Sequence, residues 1–229
     1  MKSIENKAMN TQLVNNTNDK CLLQTADGSW TIHIPEVEET YHSRHGAMQE
    51  SLHVFIHQGL HHCSAEPISV LEVGLGTGLN VILTYLNTHK SIDYHGIEPY
   101  PMDKKLVEEL MAKSESYAQL YRYIHFSPSQ EVISLSDYFT LKKHPIKLLD
   151  FETEKLFDII YYDAFGPRVE PTMWTIEAMQ KCFDLLKPGG IWVSYCAKGE
   201  VRRNLMVVGF QVERLPGPPG KREMLRAKK

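Results

Sequence analysis

The sequence predicts an α/β fold, a mostly parallel sheet with helices on both faces, and three observations predict it. ISVLEVGL is a short apolar run suited to a buried parallel strand, and SIDYHGIEPY, FDIIYYDAFGP and IWVSYCA read as further strands along the chain. Segments of helical pattern alternate with them: LNVILTYLNTH, residues 103–120 and WTIEAMQKCFDLLKPGG. A turn holding Gly74, Gly76 and Gly78 joins the first strand to the first helix. Alternation of this kind builds one open sheet covered on both sides.

Residues 1–19 read as a disordered polar tail, rich in Asn and without the apolar stretch of a secretory signal. Residues 20–62 read as a hairpin-and-helix extension. LLQTADGSWTIHI turns at Asp27-Gly28, and Ala47, Leu52, Phe55, Ile56 and Leu60 fall on one helical face. Residues 63–229 form the main domain. Within it YIHFS is expected as the third strand and QEVISLSDYF as a short helix or turn. LKKHPIKLLDF is expected as a small insertion, because its alternation and Pro145 oppose a continuous helix. Pro188-Gly189-Gly190 should close the helix before IWVSYCA. VRRNLMVVGF reads as a helix, and FQVERL and REMLRA as a terminal hairpin around PGPPGK.

A chain of 229 residues with 42% hydrophobic content suits one compact domain with a small appendage. No apolar run approaches the ~20 residues that cross a bilayer, so no membrane association is expected. Cys21, Cys63, Cys182 and Cys196 are scattered without a CxxC pair, which points to reduced thiols and a cytoplasmic location. Seven of the eleven histidines lie between His33 and His62, and His53 and His57 are one helical turn apart. No third ligand accompanies that pair, so no metal is expected. Lys198 to Lys229 holds nine Lys or Arg against three Glu, although the whole chain carries −3. Such a basic end suits either a polyanionic partner or a solvated surface.

The turn Gly74-x-Gly76-x-Gly78 follows a strand and opens a helix, where a nucleotide site belongs. Leu79 stands where a dinucleotide fingerprint has its third glycine, and no Gly-Lys-Ser/Thr follows as a phosphate loop would require. Glu98, 20 residues beyond Gly78, ends the second strand and can accept both ribose hydroxyl hydrogen bonds of an adenosine. Glu72 sits inside an apolar strand, where an unpaired charge is costly; it either borders the glycine turn and a ligand cation or makes an internal salt bridge. Asn80, at the end of LEVGLGTGLN, is grouped with these cofactor-binding candidates.

LEVGLGTGLN, DAFGPRVEPTMW from Asp163 to Trp174, and AKGEVRRNL…GF…PGPPGKREMLRA from Ala197 to Ala227 resemble a class I, Rossmann-like methyltransferase. More narrowly they are similar to the tRNA 5-aminomethyl-2-thiouridine methyltransferases; YHSRHGAMQESLHVF adds a weaker match, and together the blocks touch most of residues 41–227. The resemblance implies a mostly parallel seven-stranded sheet with an antiparallel C-terminal strand, and S-adenosyl-L-methionine as cofactor. It implies methylation of the primary amine of 5-aminomethyl-(2-thio)uridine at the tRNA wobble position, with tRNA as partner. Bifunctional relatives fuse an FAD oxidoreductase. No segment here is long enough for one, so a separate enzyme is expected to supply the amine-bearing tRNA. The chain departs from the family at Leu75, where Phe is frequent. It also departs at Ser127-Pro128-Ser129, where many methyltransferases carry an acid after the third strand; His125 or Ser127 would have to serve the adenine instead.

Asp163 is the candidate catalytic residue and also a cofactor-site candidate. It ends the strand FDIIYYD, where a carboxylate can orient an amine and balance its charge. Phe165 and Pro167 are expected to wall the substrate base; Trp174 either joins them or packs in the core. Tyr41 and Glu50 either close over the site or are ordinary helix packing and surface charge. Lys198, Arg202, Arg203, Lys221 and Arg222 are expected to contact phosphates, ordinary solvation being the alternative. The competing functions are the same fold acting on another amine, in a small molecule or protein, and a non-catalytic protein that binds cofactor and RNA.

Overall fold

The computed structural model describes residues 20–229, and the tail expected over residues 1–19 lies outside them. The expected hairpin is present: β1 (Cys21–Gln24) pairs antiparallel with β2 (Trp30–Ile34), and β3 (Glu39–Thr40) adds a third short strand. Asp27 organises the turn. Its Oδ1 accepts from the Thr25 hydroxyl at 2.6 Å and the Ser29 hydroxyl at 2.5 Å. Its Oδ2 accepts from the Gln49 N–H at 3.0 Å, in the first turn of α1 (Ala47–Ser51). The opening N–H groups of a helix lack partners within it, so a distant carboxylate caps this one. The helix continues as a wider π-helical stretch, Leu52–His57, that buries Val54, Phe55 and Ile56. Those side chains join the cluster that holds Val70, Tyr161 and Val193, so extension and main domain share a core.

The main domain starts with β4 (Ile68–Val73), buried along its whole length, and α2 (Leu79–Leu86). β5 (Ile92–Ile97), α3 (Lys104–Lys113) and α4 (Ala118–Phe126) follow. Then come β6 (Val132–Ser136), β7 (Phe139–His144) and β8 (Phe157–Tyr162). α5 (Ile176–Leu185), β9 (Leu186–Ser194), α6 (Gly199–Val207), β10 (Gln211–Pro216) and β11 (Glu223–Lys228) complete the chain. The eight strands run in the order β10-β11-β9-β8-β4-β5-β7-β6. The inner five are parallel, and β6, β10 and β11 pair antiparallel at the edges. Alternate β4 residues feed two cores: Val70 packs with α2 and α4 on one face, Leu71 and Val73 with α5 and α6 on the other. The chain leaves β4 toward β5 and returns on the opposite side at β8. That reversal opens a crevice above the carboxyl ends of both strands, where open α/β sheets bind ligands.

The expected α/β class holds, and the sheet has one strand beyond the seven expected. Four local expectations are corrected. YIHFS is not a strand but the end of α4, which buries Tyr121 and Ile124 one turn apart. The β-forming character of Tyr, Ile and Phe masked that helical spacing. QEVISLSDYF is not a helix or turn; it supplies β6 and the turn into β7. LKKHPIKLLDF is not an insertion, because its first residues belong to the third parallel strand, β7. There Phe139, Leu141 and Lys143 are buried and alternate with Thr140, Lys142 and His144. Pro188-Gly189-Gly190 does not cap α5, which ends at Leu185; it makes an irregularity in β9, across which the pairing with β8 shifts.

The hydrogen bonds to Asp27 outweigh the burial that opposes its ionisation and hold its carboxyl below the usual 3.8. Asp27→Ala is expected to cost about 1–2 kcal/mol in urea unfolding at neutral pH, as for loss of a helix cap. A carboxyl held low stabilises the fold above its unfolded pKa and ceases to as it protonates. The gap between variant and parent should therefore close as pH falls below 3.8.

Candidate active site

The glycine turn is shaped by what touches it. Gly74 has φ 90°, and a Cβ there would stand 2.6 Å from the Asp163 carbonyl oxygen. Gly76 has φ 50° and lies beneath the Tyr41 ring, 3.2 Å from where its Cβ would be. Both positions demand the conformation and the small profile of glycine. Gly78 closes the turn as the residue before α2. The Gly76 N–H donates to Glu98 Oε2 at 3.0 Å, and the Tyr100 N–H donates to Oε1 at 3.0 Å. Glu98 thus stands just past β5, tied to the turn by one oxygen. Burial raises its carboxyl above the usual range, against the pull of these two N–H groups.

Beside the turn lies a buried polar chain. Asn80, in the first turn of α2, donates through Nδ2 to Glu72 Oε1 at 2.7 Å and to Asp163 Oδ2 at 2.9 Å. Tyr94 on β5 donates its hydroxyl to Glu72 Oε2 at 2.9 Å. The register explains that contact: Val70 pairs with Tyr94, so Tyr94 and Glu72 share a face, and Gly96 opposite Glu72 leaves room. Burial, then the Asp163 charge, pushes Glu72 well above the usual carboxylate range. Asp163, one residue beyond β8, is pushed up to about 7 by burial and then by Glu50. Glu50 on α1 is buried and pairs with Lys221, from the turn between β10 and β11. The Lys221 ammonium also lies 3.8 Å from the centre of the Tyr195 ring, whose hydroxyl donates to the Ala164 carbonyl at 2.8 Å. Two carboxyl groups with raised pKa therefore flank Asn80, an arrangement suited to proton transfer.

Tyr41 meets Phe165 edge to face at 5.3 Å between ring centres, and Phe165 and Pro167 are half-buried on the loop after Asp163. Trp174 is buried in the core with Tyr162 and donates its indole N–H to the Phe165 carbonyl at 2.8 Å. It holds the loop from below. A pocket opens on the other side of Gly76, walled by Leu75, Glu98, Met102, His125, Lys143 and His144. His125 contributes a ring already bonded to the Thr77 carbonyl at 2.8 Å, and the Ser127 hydroxyl is bonded to the Tyr123 carbonyl. The residues after the third parallel strand are Pro145, Ile146 and Lys147, not Ser127-Pro128-Ser129, because β7 is that strand. A second cleft lies at the opposite end of the sheet, beside Cys63 and Gly189; its charges are paired internally, Lys187 with Asp158 and Arg226 with Glu213.

Seven of the nine basic C-terminal residues divide into two sets; of the others, Lys229 donates to backbone carbonyls and Lys228 lies at the end of β11. Arg214, Lys221 and Arg226 are in ion pairs. Lys198 before α6, Arg202 and Arg203 on α6, and Arg222 beside Lys221 have no carboxylate partner among the described residues. Among those residues no cluster of His, Cys, Asp and Glu is arranged to hold a metal, and no helix is long and apolar enough to cross a membrane. Sequence reasoning missed Tyr94, Tyr195 and Lys143. Only Tyr94 had a local signal, an aromatic on the strand beside Glu72 at the depth set by parallel pairing.

Residues 104–229 match the family described as S-adenosyl-L-methionine-dependent methyltransferase. The chain is 26% identical over 211 residues to a Leptospira borgpetersenii protein called tRNA 5-methylaminomethyl-2-thiouridine biosynthesis bifunctional protein MnmC; the match covers 83% of this chain and 32% of the relative. It is 29% identical over 229 residues to the protein of that name from Magnetococcus marinus, covering 88% and 33%. The chain thus spans about a third of the length of these relatives. Among solved structures, MNMC2 from Aquifex aeolicus superposes with a TM-score of 0.70 at 26% identity, over 91% of this chain and 70% of that one. Spermidine synthase from Thermotoga maritima shares the fold, with a TM-score of 0.56 at 15% identity over 92% and 68%.

Asp163 retains a proton between pH 3.8 and about 7 that the unfolded chain releases. Its contribution to stability therefore falls as pH rises across that window. Asp163→Asn is expected to remove this part of the slope, seen as a smaller loss of Tm between pH 5 and pH 8 than in the parent. Lys221→Met leaves the Glu50 charge buried without its partner. Because Lys221 is 31% exposed, the expected loss is about 1–3 kcal/mol in denaturant unfolding, below that of a wholly buried pair.

Proposed function

Because the chain belongs to the S-adenosyl-L-methionine-dependent methyltransferase family, we propose that it methylates the primary amine of 5-aminomethyl-(2-thio)uridine at the wobble position of tRNA. S-adenosyl-L-methionine is its cofactor, and two features of the site suit that molecule. Asn80 Oδ1, on the amide whose Nδ2 serves Glu72 and Asp163, is buried without a hydrogen-bond partner, an acceptor left open for a donor such as the cofactor's ammonium. Gly76 and Glu98 leave a cradle next to the crevice for a ribose diol, which would accept nothing bulkier than glycine beneath it. Glu98 would hold the ribose, and Glu72, Asn80 and Asp163 the methionine end. When bound, the cofactor supplies a methyl group already activated by its sulfonium.

The observation that carries the reading is Asp163 at the crevice with its carboxyl near 7. Its Oδ2 is held by Asn80, while Oδ1 has no hydrogen bond among the described residues and is open to a substrate. An aminomethyl group is largely protonated at neutral pH and must lose a proton before its lone pair can attack. Asp163 as carboxylate takes that proton, keeps the amine oriented and later gives the proton up to solvent; the nitrogen would gain the methyl as its bond to sulfur breaks, so the positive charge would pass to the methylated amine and a neutral thioether would be left. Asn80 fixes the carboxylate, and positioning supplies much of the remaining rate. Tyr41 and Phe165 would flank the base. Lys198, Arg202, Arg203 and Arg222 would meet phosphates, while Lys221 shapes the site through Glu50. The names of the relatives support the acceptor, and the aminomethyl group would be installed beforehand by a separate enzyme.

The test combines purified protein, methyl-labelled cofactor and tRNA bearing the aminomethyl nucleoside, followed by nucleoside analysis. The methylaminomethyl nucleoside is the expected product, with a rate that rises toward pH 7 and then levels. Asp163→Asn should cost about 10²–10⁴-fold in that rate. Cofactor binding without this product would overturn the acceptor assignment, and labelled small amines or protein would then identify another. Replacing Lys198 and Arg222 by Ala should weaken tRNA binding. It should also lower the salt slope of log affinity by about 0.7–0.9 for each phosphate contact removed.

A further inference from the structure

We infer that Lys143 reads a ring nitrogen of the cofactor's adenine, as a hydrogen-bond donor in a pocket that holds no acid for the exocyclic amino group. The inference rests on the cofactor, not on the identity of the methyl acceptor. Lys143 is the penultimate residue of β7, the strand next to β5, whose end carries Glu98. It is 8% exposed and lines the pocket beside Gly76 and Glu98. Glu98 is the one carboxylate among that pocket's lining residues. Its oxygens already take the N–H groups of Gly76 and Tyr100 and face the ribose position.

Lys143 is a buried cation without a carboxylate partner among the described residues. Its ammonium donates to the Ser127 carbonyl at 2.7 Å, the one hydrogen bond it makes there. Three N–H donors with one acceptor leave two in need of partners, and leaving buried polar groups unmet is costly. Each histidine of the pocket already has one ring nitrogen bonded. His125 Nε2 is bonded to the Thr77 carbonyl, and His144 Nε2 to His95 at 3.0 Å. Lys143 is thus the main source of free donors. Adenine matches it, because N1, N3 and N7 are acceptors and only the amino group donates. Burial alone lowers the pKa of Lys143, and either protonation state keeps N–H bonds to offer. The contact to Ser127 also fixes the side chain against the turn after α4, so its direction is set before a ligand arrives.

The test is titration calorimetry of the whole chain with S-adenosylhomocysteine and with its 1-deaza, 3-deaza and 7-deaza analogues, each replacing one ring nitrogen by C–H. Wild-type protein should bind one analogue about tenfold or more weakly than the parent compound, the loss typical of a charge-assisted hydrogen bond. Lys143→Met should weaken the parent compound by a similar factor yet show little further loss with that analogue, because the partner is already gone. A purely structural lysine would lower affinity for all four ligands by the same factor, and that result overturns the proposal. So do three analogues that bind wild type as the parent does, a comparison that stands even if the variant fails to fold. Absence of any binding by wild type would instead overturn the cofactor assignment itself.

Discussion

The structure depends on one amide. Asn80 Nδ2 stands between the buried Glu72 and the half-buried Asp163 and gives one hydrogen to each. Without it, Glu72 and Asp163 would face each other across the mouth of the sheet with little but repulsion and desolvation between them. The amide can occupy that place because α2 begins right after the glycine turn, and the turn can be that tight because Gly74 lets β4 pass against the Asp163 backbone. The same fixed geometry leaves Asn80 Oδ1 unsatisfied, a local cost carried by the fold for the sake of a ligand.

Much of this was legible in the sequence, and what was legible was local. The strand from Ile68, the glycine spacing after it and Glu98 after the next strand follow one another directly, and their geometry comes from one strand-turn-helix-strand unit. Asp163 was legible because the apolar run from Ile159 to Tyr162 ends on it. Tyr94 needed the parallel register. β7 was hidden because two lysines interrupt its alternation, one of them buried, and buried charges contradict the pattern by which strands are found. α4 was hidden by residues that favour strands but are spaced for a helix. Local chemistry misleads where tertiary burial decides, and Lys143 sits at such a place.

The basic C-terminal end shows the limit of counting charge. Three of its side chains are bound to carboxylates, and Lys229 donates to the carbonyls of Phe183 and Leu186. What remains for an anionic partner is a smaller group near α6 and the last turn. Charge composition marked the region, while pairing decided which residues in it are available.

The pair Glu50–Lys221 joins residues 171 positions apart, and Glu50 in turn shapes the electrostatics of Asp163. During synthesis Glu50 leaves the ribosome 171 residues before Lys221, and it waits for the turn between β10 and β11. Until then the glycine turn can exist, but the acid beside it lacks its final surroundings. Maturation of the reaction centre is thereby tied to synthesis through Lys221, so a chain stopped before that lysine is denied the finished chemistry.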